Sequence, residues 1–319
     1  MFKILSLDGG GIRGIISAYW LDRLKSKLQS PLYEYFDLIA GTSTGSILAS
    51  AIALDIPLEK DLFVDFYKTY GANIFSPQSS LMSFSWMLPS ILKPRYDSDA
   101  LKEILKNVFS SGAILSHCKK KLIIPTYDVF SRQPVWLRSY DSSKDQTPIW
   151  ESCAASSAAP VYFSAHVIKN GSAEQYMIDG GVVANNPSAC ALAEAIKIMG
   201  KQNFREAEDI LLISLGTGNL VRPITKDDAL NWGAIHWARP LIDVIFDGSS
   251  CSVNFICKQI LKNDMYYRMQ VELRGASDDL DDASDANMQN LVNIADAYIS
   301  SGDGLDKFEK IVSILEKNK

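Results

Sequence analysis

The sequence has few histidines and no recognisable metal motif. His117, His166 and His236 are the only histidines in 319 residues, and no H-E-x-x-H, C-x-x-C or EF-hand pattern is present. The five cysteines follow no disulfide or metal-binding spacing, which is typical of a reducing compartment. The acidic residues 277–286 lack the central glycine and closing glutamate of a calcium loop, so they predict a solvated loop that caps the next helix. We therefore expect an activity that needs no metal and no other cofactor.

The sequence also lacks a surplus of positive charge and a long apolar run. There are 32 Lys and Arg against 37 Asp and Glu, a formal net charge of −5, which argues against nucleic-acid binding and against simple electrostatic attachment to anionic membranes. No apolar stretch approaches the length of a transmembrane segment, and a strand predicted from residue 2 leaves no room for a cleavable signal peptide. These features predict a cytoplasmic protein, although export by a dedicated machine would leave the same pattern.

What the sequence does contain is 47% apolar residues in alternating strand-like and helix-like segments. A chain of this length and composition can bury a large core, and the alternation predicts an α/β fold. No linker-like change in composition interrupts it. We therefore predict one domain that spans residues 1–319.

A glycine loop near the start of the chain is suited to bind an anion. Residues 3–14 read KILSLDGGGIRG, a short apolar strand that ends at an acid and three glycines, and apolar residues at helical spacing follow. Because Gly9, Gly10 and Gly11 lack Cβ atoms, another group can approach their main chain, and the start of the next helix presents unpaired N–H groups. Together with Gly14 they also match G-x-G-x-x-G, so a dinucleotide pyrophosphate and a transient oxyanion are both open as ligands.

A second glycine motif follows the next predicted strand. Residues 35–45 read YFDLIAGTSTG, and residues 46–54 continue as a compact apolar helix. The pattern G-x-S-x-G lies between strand and helix with Ser43 at its centre, which is the context of a nucleophile elbow that exposes the serine Oγ above the sheet. An ordinary turn is the alternative, because the pattern is short. A dinucleotide site would instead need an acid at the end of this strand, and Glu34 precedes the strand.

A nucleophilic serine needs a base, and two residues compete for that role. The usual chain order of such hydrolases would use His236, but this residue lies in an apolar helical stretch. Asp179 ends the run QYMID and is followed by two glycines, so it can accept the Ser43 proton directly. A free aspartate has a pKa of about 3.9, so this base works best if burial raises its pKa. A structural aspartate in a turn is the alternative.

The motifs DGGGIRG, GTSTG and DGG, in this order, resemble the motif blocks of the patatin-like phospholipases, a family of plant patatins and bacterial relatives. Further stretches are similar to the same family: KPRYDSDALKEIL (93–105), AASSAAPVYF (154–163), LLISLGTGN (211–219), NWG (231–233) and DDASDANM (281–288). The likeness therefore covers nearly the whole chain. It implies a three-layer α/β fold in which helices cover both faces of a central, mostly parallel sheet.

The resemblance also implies a role for each motif residue. Ser43 would be the nucleophile and Asp179 the base of a two-residue dyad that needs no histidine. The oxyanion hole would be formed by the backbone N–H groups of Gly9, Gly10 and Gly11. Arg13 would support this loop electrostatically. The ligand of the loop would then be the negatively charged oxygen of a tetrahedral intermediate.

The implied reaction is hydrolysis of fatty-acyl esters, of the phospholipase A type, in membrane phospholipids or other acyl glycerolipids. Ser43 would form a covalent acyl-enzyme, and no metal would take part. Two alternatives stay open. One is a bacterial effector that a cyclic nucleotide or a host protein switches on, as in some members of the family. The other is a storage or binding protein with incidental esterase activity, because plant patatins also serve as storage proteins.

Two apolar stretches each have two interpretations. Residues 81–93 are crowded with apolar side chains, and Trp86, Met87 and Leu88 make this segment a candidate lid or membrane contact, with a core helix as the alternative. Residues 238–261 carry apolar residues at helical spacing, which predicts a long core helix. The DGSS interruption in that segment leaves a regulatory surface as the alternative.

Overall fold

The structure is a computed structural model and describes residues 1–56, 62–76, 93–143, 146–170, 173–200, 209–262 and 264–317. The strands are β1 (Phe2–Leu7), β2 (Leu38–Gly41), β3 (Lys121–Asp128), β4 (Gln133–Arg138), β5 (His166–Asn170), β6 (Ala173–Asp179), β7 (Ile210–Leu215) and β8 (Tyr266–Met269). The helices are α1 (Ile15–Lys27), α2 (Thr44–Leu54), α3 (Leu62–Ile74), α4 (Ser98–Phe109), α5 (Ile149–Ser156), α6 (Gly181–Ala184), α7 (Ser188–Met199), α8 (Lys226–Asn231), α9 (Ala234–Trp237), α10 (Pro240–Ile260), α11 (Asp285–Ser300) and α12 (Gly302–Lys317). The candidate contact residues Trp86, Met87 and Leu88 lie outside the described residues.

The sheet is mixed and mostly parallel. Its strand order is β5-β6-β3-β2-β1-β7-β8, and β4 pairs with β3 beside this path. The central pairs β3–β2, β2–β1, β1–β7 and β7–β8 are all parallel. The antiparallel pairs β3–β4, β3–β6 and β5–β6 lie together at one end of the sheet. The predicted strand before the glycine loop and the strand before Ser43 are confirmed as β1 and β2.

Helices cover both faces of the sheet, which confirms the predicted layers. On β1, Leu5 and Leu7 belong to one hydrophobic cluster, and Ile4 between them belongs to the other. The larger cluster joins the sheet to α1, α2, α3, α4, α5, α11 and α12, and the smaller cluster joins it to α7 and the end of α10. Parallel strands buried on both faces need apolar residues at every position. The run ILLISL in β7 follows this rule except at Ser214, whose hydroxyl accepts hydrogen bonds from Ser188 and Arg268.

The ends of β2 and β6 meet beside β3. β2 pairs with the start of β3, where Ala40 lies opposite Ile123, and then leaves the sheet. β6 runs in the opposite direction and pairs with the end of β3, where Asp179 lies opposite Thr126. β4 occupies the other side of β3, so β2 and β6 share one side. Their carboxyl ends therefore point toward each other, and the residues that follow β2 are brought close to Asp179.

The long helix predicted over residues 238–261 is present as α10. Ile242, Phe246 and Cys257 on one side of it are buried, as a core helix requires. The opposite side carries exposed apolar side chains, so the prediction of a core helix holds for the inner side only. Within the described ranges, no helix is both long enough and apolar enough to cross a bilayer.

The acidic segment before α11 caps that helix, as the sequence predicts. The Ser284 hydroxyl accepts a hydrogen bond from the Asn287 N–H at 3.3 Å, so one unpaired donor of the first turn is satisfied. Asp278 in the same segment is buried rather than solvated. Its carboxylate accepts the Arg222 backbone N–H at 2.8 Å. The segment is therefore partly built into the protein.

Candidate active site

Ser43 lies in a strained turn between β2 and α2. Its backbone has φ 52° and ψ −125°, a conformation that non-glycine residues rarely adopt. The turn is so tight that a Cβ atom on Gly41 would lie 2.2 Å from the Gly45 carbonyl oxygen. A Cβ atom on Gly45 would lie 2.3 Å from the Leu7 carbonyl oxygen, so neither end of the G-x-S-x-G pattern has room for a side chain. The arrangement is that of a nucleophile elbow.

The elbow is anchored by the end of α5 and the residues directly after it. The Ser156 hydroxyl accepts the Ser43 N–H at 2.9 Å and donates to the Pro125 carbonyl oxygen at 2.7 Å. Two residues further on, the Ala158 carbonyl oxygen accepts the Asp179 N–H at 3.0 Å. One short segment therefore holds the backbone of both Ser43 and Asp179, and this fixes their relative position.

Asp179 is the last residue of β6 and is fully buried. Its Oδ1 accepts the Gly181 N–H at 2.7 Å, and its Oδ2 forms no hydrogen bond with the residues that the structure describes. Burial raises the pKa of Asp179 to about 7, although the Gly181 N–H and the nearby Ser43 hydroxyl both act to lower it. A carboxyl with this pKa can exchange a proton near neutral pH.

Ser43 and Asp179 line the same cavity. The sequence predicts a serine Oγ exposed above the sheet, but Ser43 is only 6% exposed, so the predicted exposure is wrong. Helices α3 and α4 and the segment after α5 form walls above the elbow, so a substrate reaches Ser43 through the cavity. Its walls are mainly apolar: Ile12, Ile47, Phe66, Ile74, Phe75, Leu101, Ala159, Phe163, Phe246 and Leu280. The space between the walls, including the open mouth, is about 620 Å³.

All three histidines of the chain lie away from this cavity. His166 begins β5, where burial lowers its pKa to about 4 and its ring packs edge-to-face on Trp150. His117 Nδ1 accepts the Ile114 N–H at 3.4 Å. His236 is exposed on α9. A triad that pairs Ser43 with His236 therefore has no support in the geometry.

The glycine loop lies directly against the nucleophile. A Cβ atom on Gly9 would be 3.3 Å from the Ser43 Cβ, and Gly11 lines the cavity. The Gly9 N–H donates to the Asn185 carbonyl oxygen at 3.0 Å, so this donor is already used. The N–H groups of Gly10 and Gly11 form no hydrogen bond within the described part of the chain. Two of the three predicted oxyanion donors are therefore available.

Arg13 is buried behind the loop rather than in the cavity wall. Its Nε donates to the Gly10 carbonyl oxygen at 3.3 Å, and its Nη1 donates to the Asp278 carbonyl oxygen at 3.2 Å. Burial lowers the pKa of Arg13, and the neighbouring carboxylates of Asp243 and Asp278 act to raise it. The guanidinium thus ties the glycine loop to the segment before α11.

Asp8, at the start of the loop, pairs with a residue that the sequence analysis missed. The Arg268 guanidinium, on β8, contacts both Asp8 carboxylate oxygens, at 2.8 and 2.5 Å. Arg268 also donates to the Ser214 hydroxyl at 2.8 Å, and both members of the ion pair are buried. Thr217 adds a bond from its hydroxyl to the Gly9 carbonyl oxygen at 2.7 Å. The contacts with Arg268 and Thr217 therefore fix the position of the glycine loop.

Local patterns could reveal only some of the supporting residues. Ser156 lies in AASSAAPVYF (154–163), a stretch that is similar to the family, so its two adjacent serines could have been considered as site residues. Asn185 follows the DGG motif by a few residues, so its position near the site could also have been predicted. Arg268 lies 260 positions from its partner Asp8 and belongs to no motif, so only the tertiary structure reveals it.

Comparison with known proteins assigns the chain to a family. The sequence profile described as patatin-like phospholipase matches residues 5–192, which is more than half of the chain. The chain belongs to the patatin-like phospholipase family. Patatin-like protein 2 of Arabidopsis thaliana is 32% identical over 94% of this chain and 83% of its own length. Patatin-like protein 2 of Oryza sativa subsp. indica is 29% identical over 94% of this chain and 84% of its own length.

Among solved structures, VipD from Legionella pneumophila aligns with this chain at a TM-score of 0.42 and 14% identity. The alignment covers 93% of this chain and 67% of that chain. The family profile includes the glycine loop, Ser43 and Asp179. Arg268 and the cavity residue Phe246 lie beyond its end.

Proposed function

We propose that this patatin-like phospholipase is a serine acyl hydrolase that cleaves fatty-acyl esters of phospholipids or other glycerolipids. One observation carries the proposal: Ser43, in a strained elbow, and a buried Asp179 with an unpaired carboxylate oxygen line one apolar cavity. A nucleophile beside a base of suitable pKa can perform acyl transfer. An apolar cavity at that position suits the fatty-acyl chain of a lipid ester.

In the acylation step, the Ser43 Oγ attacks the ester carbonyl carbon while its proton passes to the Asp179 carboxylate. The carbonyl oxygen becomes negatively charged in the tetrahedral intermediate. We assign its stabilisation to the Gly10 and Gly11 N–H groups, because the Gly9 N–H is engaged with Asn185. The intermediate collapses, the ester C–O bond breaks, and Asp179 returns the proton to the departing alcohol.

In the deacylation step, water takes the place of the alcohol. Asp179 accepts a proton from the water as its oxygen attacks the acyl carbon of the Ser43 ester. A second tetrahedral intermediate uses the same backbone donors. Its collapse breaks the bond to the Ser43 Oγ, which regains a proton from Asp179, and the fatty acid leaves. All protons and electrons are accounted for by the ester, water and these two side chains.

We expect the activity to depend on the ionisation of Asp179. Its pKa is raised to about 7, and only the ionised carboxylate can accept a proton. The value of kcat/KM for a soluble short-chain ester should therefore rise about tenfold per pH unit below pH 7 and reach a plateau above it. The measurement is a rate profile from pH 5 to pH 9. A flat profile between pH 5 and pH 7 would show that Asp179 is not the titrating base.

The proposal is tested by fatty-acid release and by labelling of the nucleophile. The purified protein is incubated with mixed-chain phosphatidylcholine vesicles in the presence of a metal chelator, with Ser43→Ala as the blank. A fluorophosphonate probe, which reacts with activated serines, is added in parallel. We expect release and labelling in the parent protein and neither in Ser43→Ala. Labelling at a serine other than Ser43 would contradict the assignment.

The same assay separates the remaining alternatives. An activator-dependent enzyme would release fatty acid only after cell extract or a cyclic nucleotide is added. A storage or binding protein with incidental esterase activity would be labelled at Ser43 but would release little fatty acid from the vesicles, with or without cell extract. The dyad and the need for an activator are therefore read out independently.

A further inference from the structure

The exposed side of α10 carries large apolar side chains in two groups, one near each end of the helix, and the small or uncharged residues Gly248 and Ser252 lie between them. The large side chains on that side are Leu241, Val244, Ile245, Phe255 and Ile256, with exposures between 36% and 64%. At about 100° per residue, these positions fall within roughly one third of the helix circumference. The three charged residues of the helix, Asp243, Asp247 and Lys258, fall outside this arc. We call these five exposed side chains the α10 face.

The α10 face is unusual because the opposite side of the helix is apolar too. Phe246 is 3% exposed and Cys257 is fully buried, and both belong to the hydrophobic clusters of the protein. The helix therefore has two apolar sides, separated along one flank by Asp243, Asp247 and Lys258, and the protein buries only the inner one. An exposed apolar surface of this extent marks an interaction site.

Two features connect the α10 face to the active-site cavity. Phe246, on the inner side of the helix, lines the cavity that contains Ser43. Arg239, directly before the helix, donates from Nε to the Tyr162 hydroxyl at 3.4 Å, and Tyr162 lines the same cavity. One helix therefore has the cavity on its inner side and the apolar face on its outer side, separated by about 10 Å, the diameter of a helix.

The segment before α10 extends the apolar surface. Leu230 on α8 and Ile235 on α9 are 72% and 70% exposed. In the same segment, the half-buried rings of Trp232 and Trp237 pack edge-to-face with their centroids 5.3 Å apart. Tryptophan with one end apolar and the other polar is enriched where a protein meets the boundary between lipid and water.

We propose that the α10 face is the surface by which this protein docks on a zwitterionic lipid bilayer. The inference rests on the proposed function, because the occupant is chosen to match a lipid substrate for the adjoining cavity. The arc lacks charged residues, and Arg239 beside it is paired with Asp281 at 3.0 Å. A neutral apolar surface fits a neutral interface, so docking proceeds by burial of side chains rather than by charge. Salt should then have little effect on it.

The test compares two triple variants in vesicle flotation. The first variant replaces three apolar residues of the α10 face by glutamine: Val244→Gln, Ile245→Gln and Phe255→Gln. Glutamine is chosen because it favours helices. The matched control changes three exposed apolar residues elsewhere: Val129→Gln, Phe130→Gln and Val167→Gln. Both sets are made in the Ser43→Ala background, so that no lipid is consumed. Phosphatidylcholine vesicles are used at 0.1 and 1 M salt, as order-of-magnitude low and high conditions.

We expect the α10 triple variant to lose vesicle binding at least about tenfold at both salt concentrations, while the control binds like the parent. With Ser43 restored, hydrolysis of a soluble short-chain ester should stay within about twofold of the parent, because none of these residues lines the cavity. Hydrolysis of vesicle lipid should fall together with binding. Unchanged hydrolysis of the soluble ester together with reduced hydrolysis of vesicle lipid would show that the variant is folded and active but does not dock.

Three results would overturn the proposal. The first is unchanged vesicle binding by the α10 variant, and the second is an equal loss in the control. The third is a parent protein that is dimeric by light scattering and becomes monomeric in the α10 variant, which would assign the face to a second copy of this chain. If the parent binds vesicles through this face but does not hydrolyse the soluble ester, the docking surface stands and the proposed function fails.

Discussion

Replacement of Asp179 by asparagine is expected to lower kcat for ester hydrolysis by on the order of 10⁴-fold or more, with the protein still folded. Asparagine has the same shape, and its carbonyl oxygen can still accept the Gly181 N–H that Asp179 Oδ1 accepts at 2.7 Å. It cannot take a proton from Ser43 or from water, so both acylation and deacylation stop. The measurement is kcat for a soluble ester, with far-ultraviolet circular dichroism as the check on folding.

The melting temperature of Asp179→Asn provides a second test, which is independent of activity. Below about pH 4, Asp179 is protonated in both the folded and the unfolded state, so the parent carries no penalty. As pH rises toward 7, the unfolded state ionises first, and the folded state, with its pKa raised to about 7, loses stability relative to it. Asp179→Asn has no such group, so its melting temperature should rise relative to the parent between pH 4 and pH 7 and keep that advantage above.

His236→Ala is the control for the dyad. His236 is exposed on α9 and lies outside the cavity, so this variant should keep nearly full activity. A loss of several orders of magnitude in a folded His236→Ala protein would restore the triad hypothesis. Near-parental activity in Asp179→Asn would remove the dyad.

Replacement of Arg268 by methionine is expected to lower the free energy of unfolding by about 3–5 kcal/mol. The guanidinium contacts both oxygens of the Asp8 carboxylate, and both groups are buried. Burial raises the pKa of Asp8, and Arg268 acts to lower it. Methionine fills similar space but leaves this carboxyl without its counter-charge. Urea unfolding with a comparison of midpoints measures the loss.

The effect of Arg268→Met should reach the active site as well. Asp8 directly precedes the glycine loop, so a displaced Asp8 moves the Gly10 and Gly11 donors. We expect kcat to fall by about 10-fold to 100-fold, less than the loss of a complete catalytic group. A second variant, Asp8→Asn combined with Arg268→Met, removes the unpaired charge and should recover part of the lost stability.

Arg274→Met is the matched control for the ion pair. Arg274 also pairs with a carboxylate, that of Glu272 at 2.7 Å, but its side chain is 80% exposed. Exposed pairs contribute little, so this variant should lose no more than about 1 kcal/mol. Equal unfolding midpoints for Arg268→Met and the parent would show that the buried pair does not stabilise the loop.

The parts of this protein that were predictable are those set by short stretches of chain. A strand that ends at glycines and continues as a helix has few possible geometries, so β1, the loop, α1, β2 and α2 follow from residues 2–54 alone. The alternation of apolar segments predicted an α/β fold, the family resemblance implied helices on both faces of the sheet, and the structure confirms both. Asp179 at the end of a strand was predicted from the apolar run before it and the glycines after it.

Other features depend on contacts between distant segments and were out of reach. The sequence offers three equivalent glycine N–H groups, but only folding brings the Asn185 carbonyl oxygen to the Gly9 N–H. It indicates an apolar helix over residues 238–261, but the sequence does not reveal which of its two apolar sides lacks a partner. The enclosure of Ser43 likewise comes from helices that are remote in sequence.

By itself, the sequence determined the local backbone of both glycine motifs, the identity of Ser43 and Asp179 as candidates, and the class of fold. These follow from steric rules and apolar periodicity within a few turns of chain. Only the tertiary structure decided how the two side chains meet beside β3, which N–H groups stay free, and which apolar face of α10 remains exposed. Burial sets the pKa of Asp179, and burial is a property of the packed chain rather than of any motif.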